Sequence, residues 1–170
     1  MRKIAHSSID ENGHIKGGVA GDQTGKEVCI RDWYNKPWNV VIRFKNEWSR
    51  YALAVAMVEA AKNDYIGYNQ NKRNTVITEA EKHNLIIGLI DSKCDSDCSS
   101  LVSLGCMYAG VPKELMVING NACTTRTLRR QLEKSGLVEI FTDKEHTASA
   151  EKLITGDILL SEGHHVAVAV

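Results

Sequence analysis

The chain has 170 residues, 43% of them apolar and 25% charged, with 21 basic residues balanced by 21 acidic ones. That length supports one domain with a substantial core. The zero formal net charge argues against a protein that grips nucleic acid by phosphate neutralisation. No stretch approaches the ~20 apolar residues that span a bilayer, so no membrane partner is expected, and Met1-Arg2-Lys3 has no apolar run behind it to make a secretory signal peptide.

Residues 1–46 read as an N-terminal arm that wraps a main domain spanning 47–170. Gly13, Gly17, Gly18, Gly21 and Gly25 fall close together there, a density that resists regular structure. Within it, 28–30 and 38–44 have the β-branched and aromatic content of short strands, and Pro37 interrupts between them. Trp33, Tyr34 and Trp38 require burial. A helix is predicted over 47–62, with Asn46 as its N-cap and Trp48, Tyr51, Ala52, Val55 and Val58 as its apolar stripe. A second helix is predicted over 71–84, carrying Val76, Ile77, Ala80 and His83. The apolar run 85–90 fits either a short strand or a helix end.

The polar segment 91–97 leads to a third predicted helix over 99–109, with Leu101, Leu104 and Tyr108 inward, Gly110 just past its end and Pro112 blocking continuation. A fourth is predicted over 125–134, with Leu128 and Leu132 inward and Gly136 as its stop. Its basic residues, Arg126, Arg129, Arg130 and Lys134, fit a solvated helix face. Residues 138–141 read as a strand, and 157–160 with 165–170 as a β-hairpin around Ser161-Glu162-Gly163-His164. Helices before strands, without βαβ alternation, indicate an α+β fold with helices packed on an antiparallel sheet.

The chemistry centres on Asp97-Cys98-Ser99-Ser100, which puts a cysteine at a helix start. Unpaired N–H groups and the helix dipole there favour a thiolate, the nucleophilic form. His165, at the head of the last strand, is the candidate general base, preferred over His164. Asp97 reads as a helix cap or as a ligand for a free amine. Ser99 reads as a partner for orphan N–H groups or as a cleft residue. Other readings stay open. Cys94 and Cys98 with His164 and His165 offer four ligands of a metal site; Cys94 and Cys98 are also spaced for a reversible disulfide; and the whole fits a non-catalytic binding module. The five cysteines are odd in number and irregularly spaced, which does not suggest a disulfide framework. Cys106 reads as a buried hydrophobe. His6, His14, His83 and His146 read as surface or core histidines, with His6 or His14 reaching the cleft only if the arm folds over it.

These residues resemble NlpC-type and CHAP-type cell-wall peptidases, which share a papain-like fold. The resemblance rests on Asp97-Cys98-Ser99-Ser100, on Gly156-Asp157-Ile158-Leu159-Leu160, and on His165-Val166-Ala167-Val168. The stretch 21–28, with Arg31, Trp33-Tyr34-Asn35 and Pro37-Trp38 after it, is similar to the opening of peptidoglycan amidohydrolases of phages and prophages of Gram-positive bacteria, the endolysins. The resemblance implies a Cys98 nucleophile, a His165 base and an oxyanion held by N–H groups at the helix start, with Asp97 and Ser99 as substrate-binding or oxyanion residues. It implies no cofactor or metal and a peptidoglycan partner. Synthesis is expected in a bacterial cytoplasm, with action at the wall after release. Either the muramoyl–L-alanine bond or a bond within the stem peptide fits as the target. A third polar residue that orients the imidazole is expected on the strand after His165, beyond Val170; a chain truncated at its C-terminus, the absence of the family's tail, or another side chain in that role each fits.

Overall fold

The structure, a computed structural model, describes residues 2–10, 13–15 and 27–170. In chain order the elements are β1 (Lys3–Ser7), β2 (Val28–Asp32), β3 (Val40–Phe44), α1 (Glu47–Lys62), β4 (Ile66–Tyr68), α2 (Thr75–Lys82), β5 (Cys94–Ser96), α3 (Cys98–Tyr108), α4 (Lys113–Met116), β6 (Val117–Ile118), β7 (Asn121–Ala122), α5 (Leu128–Ser135), β8 (Val138–Phe141), α6 (Lys144–Thr147), β9 (Ile158–Ser161) and β10 (His165–Ala169). A single 3-10 turn, Ile87–Leu89, occupies the apolar run before β5.

Six strands form one antiparallel sheet in the order β2-β1-β10-β9-β3-β8. The fold is therefore α+β with helices on an antiparallel sheet, as expected from the chain order. Residues 1–46, expected as an arm, supply three of the six strands. Strand β1 lies inside the sheet, paired with β2 through Ala5↔Ile30 and His6↔Cys29 and with β10 through Ile4↔Ala169 and Ala5↔Val168. The glycine-dense stretch 16–26, and with it the motif 21–26, falls outside the described residues.

Alternation along the strands builds two apolar layers. Ala5, Val40, Ile42, Phe44, Ile158, Leu160, Val166 and Val168 face the helices and join α1 and α3 in the main core. Ile4, Val41, Leu159, Ala167 and Ala169 face the other way, where Trp38 and Leu153 cover them, with Trp33 and Tyr34 packed alongside. The three aromatics of the 33–38 segment thus gain the burial their size requires by roofing the second face of the sheet.

Helix α1 matches its expected span and its Asn46 cap, whose side chain accepts from the N–H groups of Trp48 and Ser49. Its expected inward stripe is corrected. Leu53, Ala54, Ala56, Met57 and Ala60 are buried, whereas Trp48, Tyr51 and Val55 are exposed. Close approach of α1 to α3 explains the choice of face: a Cβ on Gly105 of α3 would stand only 2.7 Å from Leu53 Cδ1. Small residues at this crossing admit the neighbouring helix, and Trp48 or Tyr51 would hold it off. On α3, Leu101 and Leu104 are fully buried as expected, whereas Tyr108, expected inward, is exposed near the helix end. Gly110 and Gly136 take positive φ at the ends of α3 and α5, which suits residues without a Cβ.

The closing hairpin forms with the register His165↔Ser161 and Val166↔Leu160. Its approach is pinned by Asp157, whose carboxylate accepts two hydrogen bonds of 2.7 Å from Arg43 of β3 and one of 2.8 Å from the Ile154 N–H. Gly156 precedes it with φ +86°, where a Cβ would lie 2.3 Å from the Arg50 carbonyl oxygen.

Candidate functional site

Helix α3 starts at Cys98, with Asp97 as its N-cap in extended conformation. Asp97 Oδ1 accepts from the Ser100 N–H at 2.7 Å and from the Ser99 hydroxyl at 3.1 Å, and the Ser100 hydroxyl accepts from the Asp97 N–H at 2.9 Å. This reciprocal pair is a capping box, and it fixes the geometry of the turn that carries the cysteine. The second carboxylate oxygen is spent as well. Arg73 Nε donates to Asp97 Oδ2 at 2.6 Å, and Arg73 Nη2 donates to the Ser99 hydroxyl at 2.9 Å. The same guanidinium donates to the carbonyls of Ala122 and Cys123 at 3.0 and 2.6 Å. Both side chains, Asp97 and Ser99, are thus engaged within the protein, with the helix start and with Arg73.

Arg73 was not evident from the sequence. It stands in the polar stretch between β4 and α2, and nothing local marks it as a partner of Asp97. Its charge offsets that of Asp97, the carboxylate one residue from the candidate nucleophile Cys98. The planar fork also suits a site that needs several donors at fixed angles.

The Cys98 sulfur lies against β10: the N–H of Val166, the residue after His165, faces it, as does the N–H of Ser99. Both contacts favour a thiolate. They are outweighed, because burial and the neighbouring Asp97 charge push the thiol up to about 12. Cys98 is 9% exposed and packs within the main core cluster. The helix start favours the thiolate, as the sequence suggests, but burial and the Asp97 charge oppose it more strongly.

His165 opens β10 and is 8% exposed. Its ring lies near Trp38, with centroids 6.0 Å apart, and edge-on to His6 at 5.0 Å and 74°. His165 Nε2 is 2.8 Å from His6 Nδ1 in a buried hydrogen bond. Among the described residues, no hydrogen bond joins the Cys98 thiol to the His165 ring, and Nδ1 has no hydrogen-bond partner. Burial, together with Arg31 and Lys36, pulls His6 down to about 4 and His165 to about 3, with His6 itself also lowering His165. Both imidazoles are neutral at pH 7.

His6, which the sequence allows to reach the cleft only if the N-terminal segment folds over it, does reach His165, as part of β1. Its role depends on pairing β1 with β10, elements 159 positions apart, and Lys3–Ser7 is too short to announce itself as an interior strand. The next residue, Ser7, shares a hydrogen bond of 2.8 Å with Ser96 Oγ, two residues before Cys98. Two tyrosines complete the surroundings. Tyr34 and Tyr68 both have raised phenols, chiefly through burial and in smaller part through the Cys98 charge nearby, and Tyr68 reaches about 12. Gln70 donates to the Tyr68 oxygen at 3.0 Å.

All five cysteines are free, so Cys94 and Cys98 are not bridged here. Among the described residues no three His, Cys, Asp or Glu side chains come together in a way that would hold a metal ion. The four-ligand set Cys94, Cys98, His164 and His165 does not converge, since His164 sits exposed in the hairpin turn while Cys94 is buried. Cys106 is buried among apolar neighbours, as its sequence context indicates. Among the described residues no helix is long and apolar enough to cross a membrane.

No curated protein and no solved structure matches the chain significantly. A family model, that of an endolysin-like domain, matches residues 4–170, a span that takes in β1, α3 and β10 together. With nearly its whole length covered by that match, the chain belongs to the endolysin-like domain family.

Proposed function

We propose that the protein is a cysteine-dependent peptidoglycan hydrolase of papain-like, NlpC- or CHAP-related type, with Cys98 as nucleophile and His165 as general base. Membership of an endolysin-like family points to a lytic action on the cell wall. The observation that carries the finer reading is the meeting of α3 and β10: the thiol at the helix start faces the main-chain N–H beside the one histidine that begins the strand.

With thiol and imidazole both neutral at rest, proton transfer accompanies attack. As the Cys98 sulfur bonds to the amide carbon, its proton passes to His165 Nδ1. The carbonyl π electrons move onto oxygen, giving a tetrahedral oxyanion. The Ser100 N–H is already spent on Asp97, which leaves the Cys98 N–H at the head of α3 as the oxyanion's donor. The carbon–nitrogen bond then breaks and His165 returns the proton to the leaving amine. Water, deprotonated by the same imidazole, cleaves the thioester and restores the thiol. Arg73 and Asp97 hold the turn that carries the sulfur.

The target is an amide bond in the peptide part of the wall, either muramoyl–L-alanine or a bond within the stem. Purified Gram-positive peptidoglycan, digested with the protein and examined by mass spectrometry, tests this. The expected soluble products carry new peptide termini on intact glycan linkages. Sugar-free stem peptides identify the amidase reaction, and shortened stems the endopeptidase reaction. Products cut only between sugars, or wall binding with no product released, would contradict the proposal.

A further inference from the structure

We infer that His6, on the N-terminal strand, is the positioning residue that holds His165 in the tautomer able to act as a base. The inference rests on the reading of Cys98 and His165 as nucleophile and base, and it goes beyond it by filling the third position from an unexpected part of the chain.

The strand neighbours of β10 are β9 on one side and β1 on the other. The place beside the histidine strand, where a third polar residue was expected from a following strand, is therefore held by β1. His6 Nδ1 lies 2.8 Å from His165 Nε2, and the two residues are 1% and 8% exposed. Burial makes a missing partner for either of these two nitrogens costly, and the contact supplies one to each.

Two neutral imidazoles joined this way share one proton between Nδ1 of His6 and Nε2 of His165. If His6 donates, His165 carries its proton on Nδ1 and has no free lone pair for the thiol. If His165 donates from Nε2, its Nδ1 lone pair is free to take the Cys98 proton. The second arrangement is the one inferred. When His165 is protonated during attack, Nε2–H keeps its acceptor, so no partner has to be found at that moment.

Strand β1 is suited to this work because it is interior and paired on both sides. Adjacent residues of one rigid strand touch both halves of the site: His6 meets His165, and Ser7 meets Ser96 just ahead of Cys98. A side chain on such an element keeps a narrower range of orientations than one on a loop.

The test compares the parent, Cys98→Ala, His6→Phe and His6→Asn by amine release from solubilised peptidoglycan, with melting curves confirming that each is folded. Phe keeps a buried ring and lacks the acceptor, whereas Asn can present an oxygen near the Nδ1 position. Cys98→Ala is expected to be inactive. His6→Phe is expected to lose about 10²-fold in kcat with little change in KM, and His6→Asn to recover most of that loss. His6→Phe at parental kcat, or His6→Asn as impaired as His6→Phe, overturns the inference while Cys98→Ala still reports on the underlying reading. Nitrogen NMR of the histidine rings in the parent gives a readout independent of turnover and of variant folding. Protonation of His165 at Nε2 is expected, and protonation at Nδ1 overturns the inference.

Discussion

Replacing Arg73 with methionine removes a guanidinium and keeps most of the aliphatic stem. The change strips four hydrogen bonds from the head of α3: those to Asp97 Oδ2, the Ser99 hydroxyl and the carbonyls of Ala122 and Cys123. The ion pair is largely buried, its side chains being 14% and 13% exposed. Removing one partner of a buried pair costs about 3–5 kcal/mol, and the remaining water access puts this site near the lower end, about 3 kcal/mol. For a domain of this length that corresponds to a fall of about 6–12 °C in Tm. A chemical consequence accompanies it. Arg73 is among the groups that favour the Cys98 thiolate, and Asp97 among those that oppose it. Without Arg73 the thiol rises further, so alkylation of Cys98 by iodoacetamide at pH 8–9 slows. Arg73→Lys keeps the charge and loses the fork, and is expected to fall between the two. A Tm within about 2 °C of the parent, together with unchanged alkylation, would refute the view that Arg73 organises the helix start.

Stability is expected to fall on acidification from pH 6.5 toward 3, because unfolded chains take up protons on His6 and His165 that the folded state, with pKa values near 4 and 3, resists. Urea midpoints at pH 7, 5 and 4 measure this, and a His6→Asn/His165→Asn double variant is expected to show a shallower decline. At the alkaline end the sign is opposite in pH: Cys98 ionises near 9.0 when unfolded and near 12 when folded, so stability declines as pH rises above 9. Cys98→Ala is expected to make that decline shallower, with the other buried thiols, Cys94 and Cys106 among them, supplying the remainder. Gly156→Ala is expected to destabilise by about 3 kcal/mol or more, since its Cβ meets Arg50 backbone at a positive φ; a urea midpoint near the parent's would contradict the turn geometry. Gly105→Ala presses on the movable Leu53 side chain and is expected to cost less, about 1–2 kcal/mol by the same measurement.

Features carried by local pattern were legible in the sequence. The α3 start, with Asp97 capping ahead of Cys98, and the closing β9–β10 hairpin both follow from short-range signals. The span of α1 followed from its Asn46 cap. Its buried face did not, because the apolar residues that look largest, Trp48 and Tyr51, are not those that fit the crossing at Gly105. Strand β1 was missed because pairing between residues 3–7 and 165–169 leaves no mark in either segment alone. The bond between His6 and His165 was missed with it. Arg73 was missed for a similar reason, since its acceptors come from Asp97, Ser99 and the 122–123 backbone. The burial that raises the Cys98 thiol was not legible in the sequence. A helix start contributes modestly, and burial beside a carboxylate outweighs it.

Amine release from purified peptidoglycan by Cys98→Ala, beside the parent at matched concentration and matched folded fraction, bears most directly on the proposed chemistry. New amino groups are expected to accumulate with the parent and to stay at the no-enzyme baseline with the variant. Release by Cys98→Ala at the parental rate would contradict a thiol nucleophile at the head of α3.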